Sequence, residues 1–225
     1  MKAIILAGGF GTRLKHVLPN VPKPMAPING KPFLEVLINY LKKQGFNEFT
    51  LSVHHMREQI IDYFKGEPGI SFAIEEEPLG TGGAILNSIK QAGVTGNVAV
   101  LNGDSFLEID YKKFFEAHGE KNFSLALREV EDTSRYGRVE VNGSIITDFK
   151  EKGIAGKGLI NTGYYIINAY WMLKQNLPEK FSVESDFLLP KIKEIKPGYF
   201  VVKNYFIDIG VPEDYARAQN ELKAY

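Results

Sequence analysis

The sequence contains no cysteine among its 225 residues. This absence excludes disulfides, thiolate zinc sites, iron–sulfur clusters and cysteine nucleophiles. Neither sign of charge is in excess, because 27 Lys and Arg side chains balance 27 Asp and Glu side chains. A chain with this balance is unsuited to binding nucleic acid or an anionic membrane by bulk electrostatic attraction.

Long hydrophobic runs are also lacking. The longest stretch without a charged residue, Gly158 to Leu173, falls short of the roughly 20 apolar residues that a membrane-spanning helix needs. The apolar segment Met1 to Leu6 is too short for a signal peptide. Hydrophobic residues still make up 44% of the chain, which is enough for a folded core. We therefore expect a cytoplasmic protein without nucleic-acid or membrane partners.

The first half of the chain alternates short apolar runs with segments of helical period. Strands are predicted at 2–6, 49–53, 70–74 and 98–101, and helices at 33–45, 60–64 and 84–91. This alternation indicates right-handed crossovers and a mostly parallel sheet with helices on both faces.

The second half is predicted to contain strands separated by turns such as Asn142-Gly143. The strands are expected at 123–128, 138–141, 144–150 and 164–167, with a helix at 186–194 and a last helix from 212 to about 223. Nothing between the halves resembles a linker or an internal repeat. We expect one continuous α/β domain over residues 1–225, with a mixed, mostly parallel sheet and an inserted antiparallel region.

The strongest local motif is the run from Leu6 to Leu14, which has glycine at positions 8, 9 and 11. Glycines after a strand let backbone N–H groups approach an anion, and Thr12 and Arg13 add a hydroxyl and a positive charge. The run is neither a P-loop nor a dinucleotide fingerprint, since the latter needs glycine at Leu14. Such a loop taken alone is usually an ordinary flexible turn. The stiff segment Pro22-Lys23-Pro24 follows it, so we expect an anion site that includes Lys23.

Two acids stand at predicted strand ends. Asp104 follows the fourth strand, and Asp208 directly precedes the last helix. Carboxylates at the carboxyl edge of an open α/β sheet suit Mg²⁺ held together with a substrate phosphate. Each acid taken alone is more often a turn residue or a helix cap, and Asp110 is predicted to be a cap. The four histidines, among them His118 in polar surroundings, are expected to be structural or exposed.

Several segments together resemble the sugar-1-phosphate nucleotidyltransferases, and this resemblance covers essentially the whole chain. The matching segments are 6–14, 22–25, 77–84, 102–104, 136–137, 151–152, 161–163 and 208–215. The resemblance implies a Rossmann-like catalytic domain that joins an NTP to a sugar 1-phosphate and releases pyrophosphate. It assigns the nucleotide to about 1–120 and the sugar phosphate to about 121–225. A hexapeptide-repeat domain after the catalytic domain, frequent in the family, is not expected.

The resemblance also implies roles for individual residues. Arg13, Lys23 and Asp104 are expected to be catalytic, and Asp104 and Asp208 are expected to hold Mg²⁺. The expected nucleotide-binding residues are Leu6, Ala7, Gly8, Gly9, Gly11, Thr12, Arg13, Glu75, Gly80, Thr81 and Asn102. The expected sugar-phosphate-binding residues are Gly103, Tyr136, Gly137, Glu151, Lys152, Asn161, Thr162 and Gly163.

The nucleotide and the sugar are predicted mainly from the overall resemblance, which favours GTP and D-glycero-α-D-manno-heptose 1-phosphate. Guanine offers N1–H and an amino group as adjacent donors, and the acids 75–77 stand beside the loop expected at the base. These acids could equally be a solvated strand end, and uracil also offers a donor. A uridylyltransferase for a hexose or amino-sugar 1-phosphate is therefore the alternative. A monomer or homodimer is expected.

Two further functional classes share part of this pattern. A glycosyltransferase commonly holds its metal with Asp-x-Asp, whereas Asp104 is followed by Ser105 and Phe106. A non-catalytic nucleotide sensor could keep the glycine loop but would not need Asp104 and Asp208 together. Release of pyrophosphate from an NTP separates both classes from a nucleotidyltransferase.

Overall fold

A computed structural model describes residues 1–14, 16–150 and 153–225 of the chain. The strands are β1 Lys2–Leu6, β2 Pro27–Ile28, β3 Lys31–Pro32, β4 Glu48–Val53, β5 Ile70–Ile74, β6 Asn97–Asn102, β7 Ser105–Leu107, β8 Phe123–Val130, β9 Val139–Asn142, β10 Ile145–Phe149, β11 Gly158–Asn168, β12 Gly198–Val202 and β13 Phe206–Asp208. The α-helices are α1 Phe33–Lys43, α2 Arg57–Phe64, α3 Gly80–Gln91, α4 Tyr111–His118, α5 Ala169–Leu173, α6 Ile192–Ile195 and α7 Pro212–Glu221. A 3-10 turn spans Lys23–Met25, and a π-helical turn spans Val183–Leu188.

Nine strands of the described chain form one mixed sheet in the order β5-β4-β1-β6-β11-β8-β12-β10-β9. The strands β5, β4, β1 and β6 are parallel, and β11 runs antiparallel to both β6 and β8. β12 runs parallel to β8, which places one parallel pair inside the antiparallel half. From β1 the chain continues outward to β4 and β5 and then returns to β6 on the other side. The order therefore reverses between β1 and β6, where open α/β sheets commonly form a ligand crevice.

Helices cover both faces of the sheet because its central strands are apolar on both sides. In β1, Ala3 and Ile5 pack into one hydrophobic cluster with α1, while Ile4 packs into a second cluster with α3. In β11, Tyr164 and Tyr165 are divided between the two clusters in the same way. Successive residues of a strand point to opposite faces, so one strand supports both cores.

Three predicted elements differ most from the observed ones. α3 begins at Gly80 rather than at residue 84, and β11 begins at Gly158 rather than at residue 164. The start of β11 is hidden in the sequence because a register shift between Asn161 and Tyr165 breaks the alternation. The helix predicted at 186–194 is wrong, since a π-helical turn and the short α6 lie there on either side of Pro190. Proline lacks the N–H that a continuous helix needs.

One histidine differs from its prediction as well. His118 is fully buried rather than in polar surroundings, and its Nδ1 lies 2.9 Å from Ser124 Oγ. Burial lowers the pKa of His118 to about 4, so the imidazole is neutral at physiological pH. Asp110 caps α4 as predicted, with Oδ1 accepting from Lys113 N at 3.1 Å. Among the described helices, none has the length and apolar character needed to cross a bilayer.

Candidate active site

A cleft of about 420 Å³ opens at the carboxyl ends of β1 and β6. It is lined by the glycine loop, the turn that contains Lys23, the start of α3 and two strand ends. The lining residues are Leu6, Gly8, Gly9, Phe10, Gly11, Thr12, Arg13, Lys23, Pro24, Glu75, Pro78, Leu79, Gly80, Thr81, Ala84, Asn102, Asp104 and Gly210. The structure thus brings together ten of the eleven predicted nucleotide-binding residues. The eleventh, Ala7, is buried in the sheet, where its N–H donates to Ser52 O over 2.8 Å.

The glycine loop has little space for side chains at two positions. A Cβ built on Gly8 would lie 3.0 Å from Glu75 Oε1, and one built on Gly11 would lie 3.1 Å from Lys23 Cβ. Gly11 also has a φ of +59°, which favours glycine. The loop therefore lies close against two residues of the cleft wall, one acidic and one basic.

The charged end of the cleft is organised around Lys23, whose side chain is only 8% exposed. Its Nζ donates to Asp104 Oδ2 over 2.6 Å and to Asp208 Oδ1 over 3.2 Å. The antiparallel pairing of β13 with β7 places Asp208 opposite Ser105 and so beside Asp104. A buried ammonium is costly without a counter-charge, and the two carboxylates supply it.

Arg13 reaches the same place. A Cβ built on Gly210 would lie 2.9 Å from Asp208 Oδ1, 3.2 Å from Lys23 Nζ and 3.3 Å from Arg13 Nη2. The absent side chain at Gly210 therefore leaves room for an arginine, a lysine and a carboxylate at one point. With Asp104 the four groups carry two positive and two negative charges, so they are balanced before any ligand arrives.

The opposite part of the wall contains one of the three consecutive acids. Glu75 is 5% exposed, whereas Glu76 and Glu77 are both exposed, and Glu76 pairs with Arg57 over 3.1 Å. Glu75 Oε1 accepts from Ser52 Oγ over 2.8 Å, and Oε2 accepts from Leu79 N over 3.3 Å. The end of β5 is therefore solvated only beyond Glu75, whose carboxylate is fixed in the cleft wall by these two hydrogen bonds.

The start of α3 faces the cleft but is capped by the protein itself. The N–H groups of Gly82 and Gly83 both donate to Phe181 O, and Thr81 Oγ1 accepts from Val183 N over 3.0 Å. A Cβ on Gly82 would lie 2.1 Å from the Phe181 ring. The glycines that follow Thr81 thus allow the segment 179–183 to pack closely, while Gly80 and Thr81 line the cleft.

The predicted sugar-phosphate residues are placed less uniformly, and none of those described lines the cleft itself. Gly103 N donates to Leu6 O beside it, and a Cβ on Gly163 would overlap the Asn102 side chain. Asn161 Nδ2 donates to Glu184 Oε1 and to Tyr165 OH. Glu151 and Lys152 lie outside the described residues.

Thr162 and Tyr136 differ in whether their side chains are free to contact a ligand. Thr162 is 2% exposed and its Oγ1 donates to Ala126 O over 2.8 Å, so its side chain is committed to the sheet. Tyr136, followed by Gly137 with a φ of +79°, packs edge-on against Phe206 of β13. Burial raises the pKa of Tyr136, so its phenol stays protonated at neutral pH. The ring lies next to the strand that ends at Asp208.

Two residues at the site, Phe10 and Ser52, were not predicted from the sequence. Phe10 is 51% exposed in the cleft wall and packs on the rings of His54 and His55, at centroid distances of 5.7 and 5.2 Å. An aromatic residue inside a glycine loop was a usable signal for it. Ser52 is the polar residue near the end of an otherwise apolar run, Phe49 to Val53, which was a weaker signal.

Comparison with known proteins identifies the class of protein to which this fold and cleft belong. A family model described as "Nucleotidyl transferase" matches residues 2–224, and the chain belongs to this family. The chain is 44% identical to D-glycero-alpha-D-manno-heptose 1-phosphate guanylyltransferase of Aneurinibacillus thermoaerophilus, with 100% of each chain covered. It is 47% identical to the protein of the same name from Campylobacter jejuni, over 96% of this chain and 97% of that one. The predicted family membership is confirmed.

Solved structures agree with these sequence matches. The crystal structure of HddC from Yersinia pseudotuberculosis superposes with a TM-score of 0.89 at 42% identity, and each chain is 99% covered. A second structure of HddC, described as complexed with GMP-PN, gives a TM-score of 0.87 at the same identity and coverage. The predicted α/β nucleotidyltransferase fold, with a mixed sheet flanked by helices, is confirmed.

Proposed function

We propose that this protein is a guanylyltransferase that joins GTP to D-glycero-α-D-manno-heptose 1-phosphate, forming GDP-heptose and pyrophosphate. The observation that carries the proposal is the cleft wall, which has Arg13, Lys23 and Asp104 at one part and the buried Glu75 at another. Asp208 contacts Lys23 beside them. The first part suits phosphates, and the acid suits a base that offers N–H donors. The relatives that match over full length bear the name of this activity.

The reaction needs charge neutralisation more than proton transfer. A phosphate monoester is already largely ionised at neutral pH, with a second pKa of about 6. One of its oxygens attacks the α-phosphorus of GTP in line, and the bond from that phosphorus to the bridging oxygen of pyrophosphate breaks. Arg13 and Lys23 would offset the negative charge of the two anionic substrates and of the leaving pyrophosphate.

Asp104 and Asp208 fit a magnesium ion. Both carboxylates contact one ammonium nitrogen, so they are close enough to share one cation, and Mg²⁺ prefers such oxygen ligands. Within residues 1–14, 16–150 and 153–225 no cluster of three or more His, Asp or Glu side chains could hold a metal. Phosphate oxygens of the substrates would therefore complete the coordination. When bound, the ion supplies the positive charge that the balanced side chains lack.

The sugar phosphate is proposed to bind beside the same acids, between Gly103 and the second half of the chain. Asn161, Gly163, Tyr136 and Gly137 would form that side together with Glu151 and Lys152, and Thr162 would contribute through its backbone. This arrangement keeps the division at about residue 120 between a nucleotide part and a sugar-phosphate part of one catalytic domain. The attacking oxygen would then approach the α-phosphorus from the side opposite to pyrophosphate.

Localisation, subunit number and the use of the product are proposed as well. We propose a cytoplasmic monomer or homodimer whose product serves the synthesis of a capsule or lipopolysaccharide, since an activated heptose is a building block for such polymers. Light scattering coupled to size exclusion would determine the number of subunits in solution.

A pyrophosphate-release assay with four NTPs and a panel of sugar 1-phosphates tests the proposal. The highest kcat/KM is expected for GTP with the heptose phosphate, and no release is expected without a sugar phosphate. A higher kcat/KM for UTP with a hexose or amino-sugar phosphate would contradict the specificity but leave nucleotidyl transfer intact. Tight GTP binding without release for any sugar phosphate would contradict the enzyme itself.

A further inference from the structure

A buried serine lies behind the acid in the cleft wall. Ser52 is fully buried and does not itself line the cleft, and its Oγ donates to Glu75 Oε1 over 2.8 Å. A hydroxyl buried in an apolar strand is costly unless it has a hydrogen-bond partner, and this one is directed at a carboxylate. The proposed transfer reaction assigns no task to Ser52.

The position of Ser52 follows from the alternation of β4. Phe49, Leu51 and Val53 point into the cluster that contains α1, so Ser52 points to the opposite face, towards α3. Ser52 pairs with Leu6 of β1, and its carbonyl accepts from Ala7 N. The serine thus lies at the carboxyl end of the sheet, directly beneath the glycine loop.

The carboxylate of Glu75 keeps unused acceptor capacity. Among the described residues, one donor reaches each oxygen, Ser52 Oγ to Oε1 and Leu79 N to Oε2. An ionised carboxylate can accept about four hydrogen bonds, so each oxygen retains capacity for a further donor. Since Glu75 is part of the cleft lining, a ligand there can supply that donor. The space beside Oε1 is kept open by Gly8, where a Cβ would lie 3.0 Å away.

We propose that Ser52 is a positioning residue that keeps the Glu75 carboxylate oriented to accept N–H donors of the nucleotide base. For guanine these donors are N1–H and the N2 amino group, so this inference rests on the proposed function. Without the Ser52 hydroxyl, Oε1 would lose the donor that compensates its burial. The carboxylate would then turn away, and the base would lose an acceptor.

The experiment compares Ser52→Ala with a matched control, Thr50→Ala. Thr50 is two residues earlier on the same face of β4, and its buried hydroxyl contacts Ser71 Oγ at 3.2 Å rather than Glu75. Binding of GTP, ITP and UTP is measured by calorimetry, and kcat and KM by pyrophosphate release. ITP lacks only the N2 amino group of guanine.

Ser52→Ala is expected to lower the preference for GTP over ITP by about tenfold, the loss expected for one hydrogen bond to a charged group. The KM for GTP should rise while kcat stays near that of the wild type. Thr50→Ala should change neither the preference for GTP over ITP nor the KM for GTP. The double variant with Glu75→Gln should bind GTP no more weakly than Glu75→Gln alone, since Ser52 acts through Glu75. A wild-type preference in Ser52→Ala, or equal losses for GTP and ITP, would overturn the proposal.

Two further outcomes are distinguishable. If Ser52→Ala does not fold, Ser52→Cys is nearly isosteric and a weak donor, and the same ratio is read from it. If the wild type prefers UTP, the proposed guanylyl transfer is wrong. The positioning role is then supported only if Ser52→Ala weakens UTP binding more than Thr50→Ala does, and it is refuted if the two variants bind alike.

Discussion

At the scale of single residues, the charged end of the cleft is defined by one ammonium between two carboxylates. Lys23 has only 8% of its side chain exposed, while Asp104 and Asp208 are 35% and 28% exposed. The lysine is therefore fixed by its surroundings, whereas both acids keep part of their surface open.

Replacing either acid by its amide tests this arrangement. Asp104→Asn and Asp208→Asn each keep an acceptor for Lys23 but remove one negative charge from the proposed magnesium site. Each is expected to lower kcat by about 10²-fold or more at saturating Mg²⁺, because charge stabilisation at the reacting phosphate is lost. Steady-state kinetics over a magnesium titration would measure this loss.

The control for these variants is another acid that has a purely local role. Asp110→Ala removes the cap of α4 and should lower the melting temperature while kcat is unchanged. Turnover close to that of the wild type in Asp104→Asn or Asp208→Asn would remove that residue from the metal site.

At the scale of secondary structure, the first turn of α3 is fixed by the segment that precedes the π-helical turn. Gly82 and Gly83 approach this segment closely, but they meet different parts of it. A Cβ on Gly82 would overlap the side chain of Phe181, whereas a Cβ on Gly83 would lie 2.3 Å from the backbone oxygen of Glu179. A side chain can be shortened by mutation and a carbonyl cannot.

Alanine at either glycine should therefore destabilise the protein, but shortening the Phe181 side chain should restore stability at only one of the two positions. Gly82→Ala and Gly83→Ala are each expected to lower the free energy of unfolding by about 2 kcal/mol through overpacking. Adding Phe181→Leu should recover more stability in Gly82→Ala than in Gly83→Ala, as measured by urea denaturation. If Phe181→Leu recovers the same free energy of unfolding in Gly82→Ala and in Gly83→Ala, the two glycines do not make distinct contacts.

At the scale of the whole molecule, one buried histidine connects folding stability to pH. His118 lies between α4 and β8, and burial holds its pKa at about 4 against an ordinary value of 6.5. The unfolded chain therefore binds a proton between these two values while the folded protein does not. Stability should fall as the pH drops from about 6.5, and this contribution should level off below about 4.

The histidine accounts for up to about 3 kcal/mol of this loss, from roughly 1.4 kcal/mol for each unit of pKa difference. Urea unfolding of the wild type and of His118→Gln at pH 7 and pH 4.5 would measure it. Carboxylates titrate in both proteins, so the difference between their slopes isolates the histidine. Identical pH slopes would mean that His118 is protonated in the folded state as well.

The sequence by itself determined the alternation of elements in the first half, because periods of two and 3.6 residues are local properties. It also predicted the glycine loop and twelve of the residues that line the cleft. It failed at β11, where a register shift interrupts the pattern, and at Pro190, where a helix was expected. Only the tertiary structure decided which side chains meet.

The contacts of Lys23 show why tertiary structure was needed. Its two carboxylates lie 81 and 185 residues along the chain, and the pairing of β13 with β7 brings them together. The bond from Ser52 to Glu75 likewise depends on the parallel pairing of β4 with β5. Hydrogen bonds between strands are formed by the backbone, which is the same in every residue except proline. The register that brings distant side chains together is therefore set by the packing of the whole sheet.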